Sequence, residues 1–147
     1  MSHAHLELHP NQSIGVLKAL HILTRDGKIN QDSRRKLKQV YHLYQFIAPL
    51  LETLYQTNAA PVLVDHGAGK SYLGFILYDL LMKQHHAGQV FGIETRAELV
   101  QKSQQLAAEL GFNRMDFVNL SVADSLHSPL LPTQVDIVTA LHACDTA

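Results

Sequence analysis

Val62-Leu63-Val64-Asp65-His66-Gly67-Ala68-Gly69-Lys70-Ser71 decides the fold. An apolar run ends in an acid, and two glycines then open a helix. A parallel strand turns into a helix in this way beneath a nucleotide-like ligand, because glycine lets backbone amides come close to it. The acid narrows the choice of ligand. A dinucleotide fingerprint leads into its first glycine with small apolar residues, since a carboxylate would repel the pyrophosphate seated there. Asp65, two residues before Gly67, suits instead a cationic ligand with ammonium or hydroxyl donors.

Two rival patterns fail on spacing. Gly69-Lys70-Ser71 matches the end of the phosphate-cradling G-x-x-x-x-G-K-[ST] loop, but its first glycine would fall on Val64, a strand residue. The dinucleotide pattern G-x-G-x-x-G requires glycine where Tyr72 stands, and the next glycine is Gly74. A nucleotide-dependent oxidoreductase is therefore disfavoured.

Outward from this turn, the chain alternates strand and helix. Val62 to Asp65 reads as a strand buried on both faces, and Ser71 to Lys83 as a buried helix ended by His85-His86-Ala87-Gly88. Val90 to Glu94 is the second strand. Thr95 with Glu98 has the spacing of a capping box for a helix reaching Leu110, with Gly111 as its C-cap. Phe117 to Leu120 is the third strand. A loop with Pro129 and Pro132 leads to the fourth, Val135 to Leu141. Such alternation implies right-handed crossovers and an α/β, Rossmann-like parallel sheet of order 3-2-1-4, with ligands beyond the carboxyl ends of the strands. Asp65, Glu94, Leu120-Ser121 and His142 all fall at such ends.

Residues 1–60 read as an N-terminal helical extension that packs on the sheet or covers the ligand, and 61–147 as the ligand-binding domain. Ser13 to Leu23 has helical spacing, with a stop at Gly27. Asp32 or Ser33 is expected to cap a long helix whose apolar face runs through Leu37, Val40, Tyr44, Ile47, Leu51 and Leu54. Pro49 predicts a kink or break near Ala48.

Bulk properties set limits. With 147 residues, 46% of them hydrophobic, the chain can bury one core. A formal net charge of -1 argues against a strongly basic nucleic-acid binder. One cysteine, Cys144, excludes an intramolecular disulfide framework and agrees with a reducing cytosol. Met1 to Pro10 has no apolar core and so predicts no secretory signal, and no run reaches the length of a membrane span. A cytoplasmic protein is expected. Ten histidines could suggest a metal, but the single cysteine and the lack of an H-x-x-x-H pair on a helix predict none. Arg34-Arg35-Lys36-Lys38, near Tyr41 and Tyr44, reads as a solvated helix face or as a contact for RNA phosphates.

From Pro61 to Ala147 the chain resembles the class I S-adenosylmethionine (SAM)-dependent methyltransferases. Asp-His-Gly-Ala-Gly looks like their first motif and Phe-Gly-Ile-Glu like their second. SAM, with its sulfonium and amino groups, is also the kind of ligand Asp65 suits. The ending Leu141-His142-Ala143-Cys144-Asp145-Thr146-Ala147 is similar to the His-x-Cys-x-x-Ala-Thr-Asp segment of one methyltransferase-like subgroup. That subgroup is in turn similar to tRNA 2′-O-methyltransferases with a His-Leu-Cys-Gly motif.

The resemblance implies SAM as cofactor and a methyl acceptor that is RNA before protein or small molecule. It places Asp65 on the methionyl amino group, with His66, Gly67, Ala68 and Gly69 forming the cradle. Glu94 would accept the ribose hydroxyls. The adenine would lie against Ser121 and Val122, with Ser121 where relatives often carry Asp, so that backbone at Val122 or Asp124 could replace that contact. His142 and Asp145 would face the acceptor, His142 as base or orienter. The same resemblance implies that the fold continues past strand four. A fragment whose missing C-terminal half covers that strand is expected before self-association. A non-catalytic SAM-binding or interaction module is the alternative reading.

Overall fold

A computed structural model describes residues 8–57 and 60–140. Four strands, β1 (Val62–His66), β2 (Gln89–Glu94), β3 (Met115–Asn119) and β4 (Ile137–Thr139), form one all-parallel sheet in the order β3-β2-β1-β4. The helices are α1 (Ile14–Ala19), α2 (Gln31–Thr57), α3 (Tyr72–Leu80), α4 (Ala97–Leu110) and α5 (Val122–Ser125). This is the α/β order that the alternation implied.

The main core lies on one face of the sheet. Leu63, Val90, Met115 and Phe117 of the strands meet Leu73, Phe75, Ile76 and Leu77 of α3, and Leu17, Leu37 and Leu51 of α1 and α2 join the same cluster. All nine residues of α3 are buried. The first helices therefore complete the core through α3 rather than standing apart from it. On the opposite face the buried cluster is smaller: Val64, Phe91 and Ile93, flanked by Leu120, Leu131 and Val135. Val138 of β4 is exposed on that face, and Leu126 and Leu130 of the loop between α5 and β4 are exposed as well.

Asp79 joins the N-terminal segment to α3. Its fully buried carboxylate accepts from Gln12 Nε2 at 2.5 Å and Ser13 N at 2.6 Å, and it pairs with Lys83 Nζ at 2.6 Å. Replacing it strands an amide, a backbone N–H and an ammonium together. Asp79→Ala is expected to lower stability by about 3 kcal/mol in urea unfolding; an unchanged midpoint would refute this role.

Several local expectations are corrected. The first helix ends at Ala19, well before Gly27, as His21 enters the left-handed region at φ 61°. Asn30, rather than Asp32 or Ser33, caps α2: its Oδ1 accepts from Ser33 N at 2.8 Å. Asp32 sits in the first turn and instead pairs with Arg35 (3.5 Å) and Lys36 (3.1 Å). Pro49 does not break α2, which runs unbroken to Thr57. Pro49 and Gln45 lie on the exposed side, so the carbonyl losing its partner faces solvent, while buried Ile47 and Leu51 hold the helix on both sides.

The buried helix α3 stops at Leu80 and yields to a 3₁₀ turn, Met82–Gln84. The Thr95–Glu98 capping box does not form. Arg96 is the N-cap of α4 and contributes no side-chain cap, because a guanidinium has only donors and cannot accept from the first-turn N–H groups. β3 starts two residues before Phe117, and β4 is only three residues long, against the seven expected.

Candidate functional site

Asp65 and Glu94 end up side by side because parallel pairing sets Asp65 opposite Gly92, two residues before Glu94. Alternation along the strands puts both side chains on the same face, at the carboxyl rim of the sheet. Between them runs the glycine turn. Gly67 and Gly69 have φ of 62° and 60°, values an L side chain resists, which is why glycine stands at both positions. Ala68 N donates to Ile93 O at 2.9 Å and Gly69 N to Glu94 Oε1 at 2.9 Å, fastening the turn onto β2. Gly92 is needed for this approach: a Cβ there would lie 2.8 Å from the Phe117 ring and 3.3 Å from Ala68 Cβ.

The two carboxylates have opposite electrostatics. Asp65 is 1% exposed; Thr139 Oγ1 donates to its Oδ1 at 2.7 Å, while Oδ2 is buried with no hydrogen-bond partner among the described residues. Burial pushes this carboxyl up to about 7, with the single Thr139 bond opposing. An unpaired buried carboxylate costs free energy until a cation reaches it. Glu94 is saturated. Its oxygens accept from Arg96 Nε (2.8 Å), Arg96 Nη2 (3.2 Å), Arg96 N (2.9 Å) and Gly69 N (2.9 Å). The Arg96 side-chain bond, against the cost of burial, holds Glu94 down at about 2.

Asn119, at the end of β3, donates from Nδ2 to Glu94 O at 2.9 Å and Thr95 O at 2.8 Å, fixing the loop that carries Arg96. Ser121 caps α5, its hydroxyl accepting from Asp124 N at 3.1 Å, and Val122 beside it is 52% exposed. The rim thus gathers Asp65, Gly67, Ala68, Gly69 and Glu94, with Ser121 and Val122 following β3 at the same end of the sheet. His66 departs from this group. Its side chain falls on the other face of β1, where it helps line a pocket of about 630 Å³ with Ser125, His127 and Val138. Burial lowers its pKa, and its Nδ1 has no partner among the described residues. His142, Cys144 and Asp145 lie outside the described residues. No group of three or more potential metal ligands occurs among the described residues, and no described helix is long and apolar enough to cross a membrane.

Two residues of the rim escaped sequence reasoning. Thr139 was legible only as one more strand residue, although a hydroxyl at the end of the strand beside Asp65 was the available signal. Arg96 was hidden inside the presumed capping box; a cation two residues past a strand-end acid was its mark.

A family model described as a methyltransferase domain matches residues 35–147, beginning inside α2, and the chain belongs to that family. Comparison with curated protein sequences returns no match. Among solved structures, the chain is similar to WbdD, co-crystallised with the kinase inhibitor LY294002. That match has 18% identity and a TM-score of 0.50, over 66% of this chain and 21% of that one. It is also similar to magnesium protoporphyrin IX methyltransferase from Synechocystis PCC 6803 with bound SAH (17% identity, TM-score 0.48, 86% of this chain, 51% of that one). A third is a putative S-adenosyl-L-methionine-dependent methyltransferase from Methanococcus maripaludis (14% identity, TM-score 0.48, 96% of this chain, 55% of that one). The chain spans between 21% and 55% of the length of eight solved structures that it matches, these three among them.

Proposed function

We propose that this chain binds S-adenosylmethionine at the carboxyl rim of β1 and β2, as part of an enzyme that transfers the methyl group to an acceptor. The observation that carries the reading is Asp65: a buried carboxylate with one unpartnered oxygen, set against a glycine-lined backbone. An ammonium group satisfies Oδ2 and removes the cost of burying the charge. Glu94, two residues past the pairing partner of Asp65, offers carboxylate acceptors to two vicinal hydroxyls.

When bound, the cofactor supplies a methyl group already activated by its sulfonium. The chain's own residues hold and orient. Asp65 takes the amino group, with Thr139 fixing its other oxygen. Gly67, Ala68 and Gly69 admit the ligand against the backbone. Ser121 and Val122 border the adenine end, where the hydroxyl of Ser121 accepts from Asp124 N in its cap and keeps its own O–H to donate, beside backbone and the exposed Val122. His142 and Asp145, which follow β4 in the sequence, are assigned to the acceptor side, His142 as base or orienter.

RNA is proposed as the acceptor before protein or small molecule. Support comes from Arg34, Arg35, Lys36 and Lys38 on α2, although Asp32 already pairs with Arg35 and Lys36. The cytosol is the proposed location. A further polypeptide segment, before a second copy of the chain, is the proposed cover for the edge strand β4, whose Val138 is exposed.

Calorimetry with SAM and with NAD tests the reading. SAM is expected to bind and NAD is not; NAD binding without SAM would replace this function with a redox one. If SAM binds while the protein methylates no RNA, protein or small-molecule pool, a non-catalytic binding module is the function that stands.

A further inference from the structure

The Glu94 carboxylate is full before any ligand arrives. An ionised carboxylate offers about four in-plane acceptor positions. Here Oε1 takes Gly69 N and Arg96 Nη2, and Oε2 takes Arg96 N and Arg96 Nε. Two of these donors are backbone amides. Gly69 N is fixed by the glycine turn, and Arg96 N by the loop that Asn119 holds. The other two belong to a guanidinium whose side chain is 55% exposed, against 6% for that of Glu94. Only the guanidinium is free to leave.

We propose that Arg96 gates the ribose subsite: its planar fork occupies the two Glu94 acceptor positions that a vicinal diol needs, and it swings into solvent when the nucleoside binds. This rests on the SAM reading above and adds to it a residue that sets affinity and selectivity. The fork and a cis-diol are competing bidentate donors of similar span for the same pair of oxygens. Exchange conserves hydrogen bonds at Glu94 and costs the Arg96 ion pair. A nucleoside lacking both hydroxyls cannot make this exchange, so it leaves the fork in place and gains nothing from Glu94. The guanidinium thus lowers the affinity of ligands that carry the diol and leaves the others unaffected, which narrows the preference Glu94 gives to the diol.

The test compares native protein with Arg96→Met, which keeps the apolar stem and removes every side-chain donor, and with Arg96→Lys, which keeps charge without the fork. The probes are S-adenosylhomocysteine and its 2′,3′-dideoxyribose analogue, titrated by calorimetry at low salt. Arg96→Met is expected to bind S-adenosylhomocysteine roughly fivefold tighter than native protein, the range of a partly exposed ion pair, with Arg96→Lys between the two. Affinity for the dideoxy analogue should not change. In native protein the Arg96 Nε–H resonance should exchange slowly with water and become fast when S-adenosylhomocysteine is added. If native protein binds S-adenosylhomocysteine and Arg96→Met binds it equally or more weakly, the gate is overturned while the SAM site stands. If no form binds it, the SAM reading itself falls and the gate with it. Binding by Arg96→Met alone would support both.

Discussion

Binding of S-adenosylhomocysteine is expected to be about tenfold tighter at pH 8 than at pH 6. Buried Asp65 titrates near 7 in the free protein, so roughly a tenth of the molecules carry the carboxylate at pH 6 and roughly nine-tenths at pH 8. The ligand's ammonium stays protonated across this window and needs the ionised form. Asp65→Asn should abolish the pH dependence and weaken binding at pH 8 by about 100-fold, since it removes a charge-assisted contact inside a buried site.

The same substitution should stabilise the free protein. A carboxyl whose folded pKa is raised favours the folded state fully below its unfolded pKa near 3.8, and that contribution is lost as pH rises through about 7. At pH 8 the native fold therefore carries an unpaired buried charge that Asn lacks. Asp65→Asn is expected to gain on the order of 2–4 kcal/mol at pH 8 and little at pH 4, read by thermal melts at both values. Loss of stability at pH 8 would show that Asp65 holds the fold together rather than waiting for a cation.

Glu94 should behave in the opposite sense. Its folded pKa is held at about 2, chiefly by the Arg96 side chain, so its stabilisation is present above its ordinary value of 4.5 and is lost as pH falls toward 2. Screening at the half-exposed Arg96 keeps this contribution on the order of 1–2 kcal/mol. Glu94→Ala is expected both to flatten the acid limb of a stability-against-pH curve and to weaken S-adenosylhomocysteine binding by roughly 30- to 100-fold, as two hydroxyls lose a charged acceptor. Glu94→Gln, which can still accept from Gly69 N, should lose about tenfold. Tight binding by the Ala variant would place the ribose elsewhere.

The parts of this molecule governed by repeating pattern were legible in its sequence. Apolar runs at Val62, Val90 and Phe117, separated by helical stretches that end at glycines, dictate a parallel sheet and its order almost without regard to detail. Asp65, the glycines and Glu94 were readable because each falls where a strand ends. What escaped was decided by contacts between segments distant in sequence or by competition among neighbours. Thr139 reaches Asp65 across 74 residues. Pro49 survives in α2 because packing at Ile47 and Leu51 outweighs one lost hydrogen bond. Thr95 does not cap α4 because the helix begins one residue later, with Arg96 at the N-cap position. His66 looked like part of the cradle from its neighbours alone, yet strand alternation turns its ring to the opposite face.

A structure of the protein with S-adenosylhomocysteine bound tests the central claim most directly. The ligand's amino nitrogen is predicted within about 3 Å of Asp65 Oδ2 and its ribose hydroxyls on Glu94, over the Gly67–Gly69 backbone. A ligand seated away from both carboxylates, with Asp65 Oδ2 still unpartnered, would contradict it.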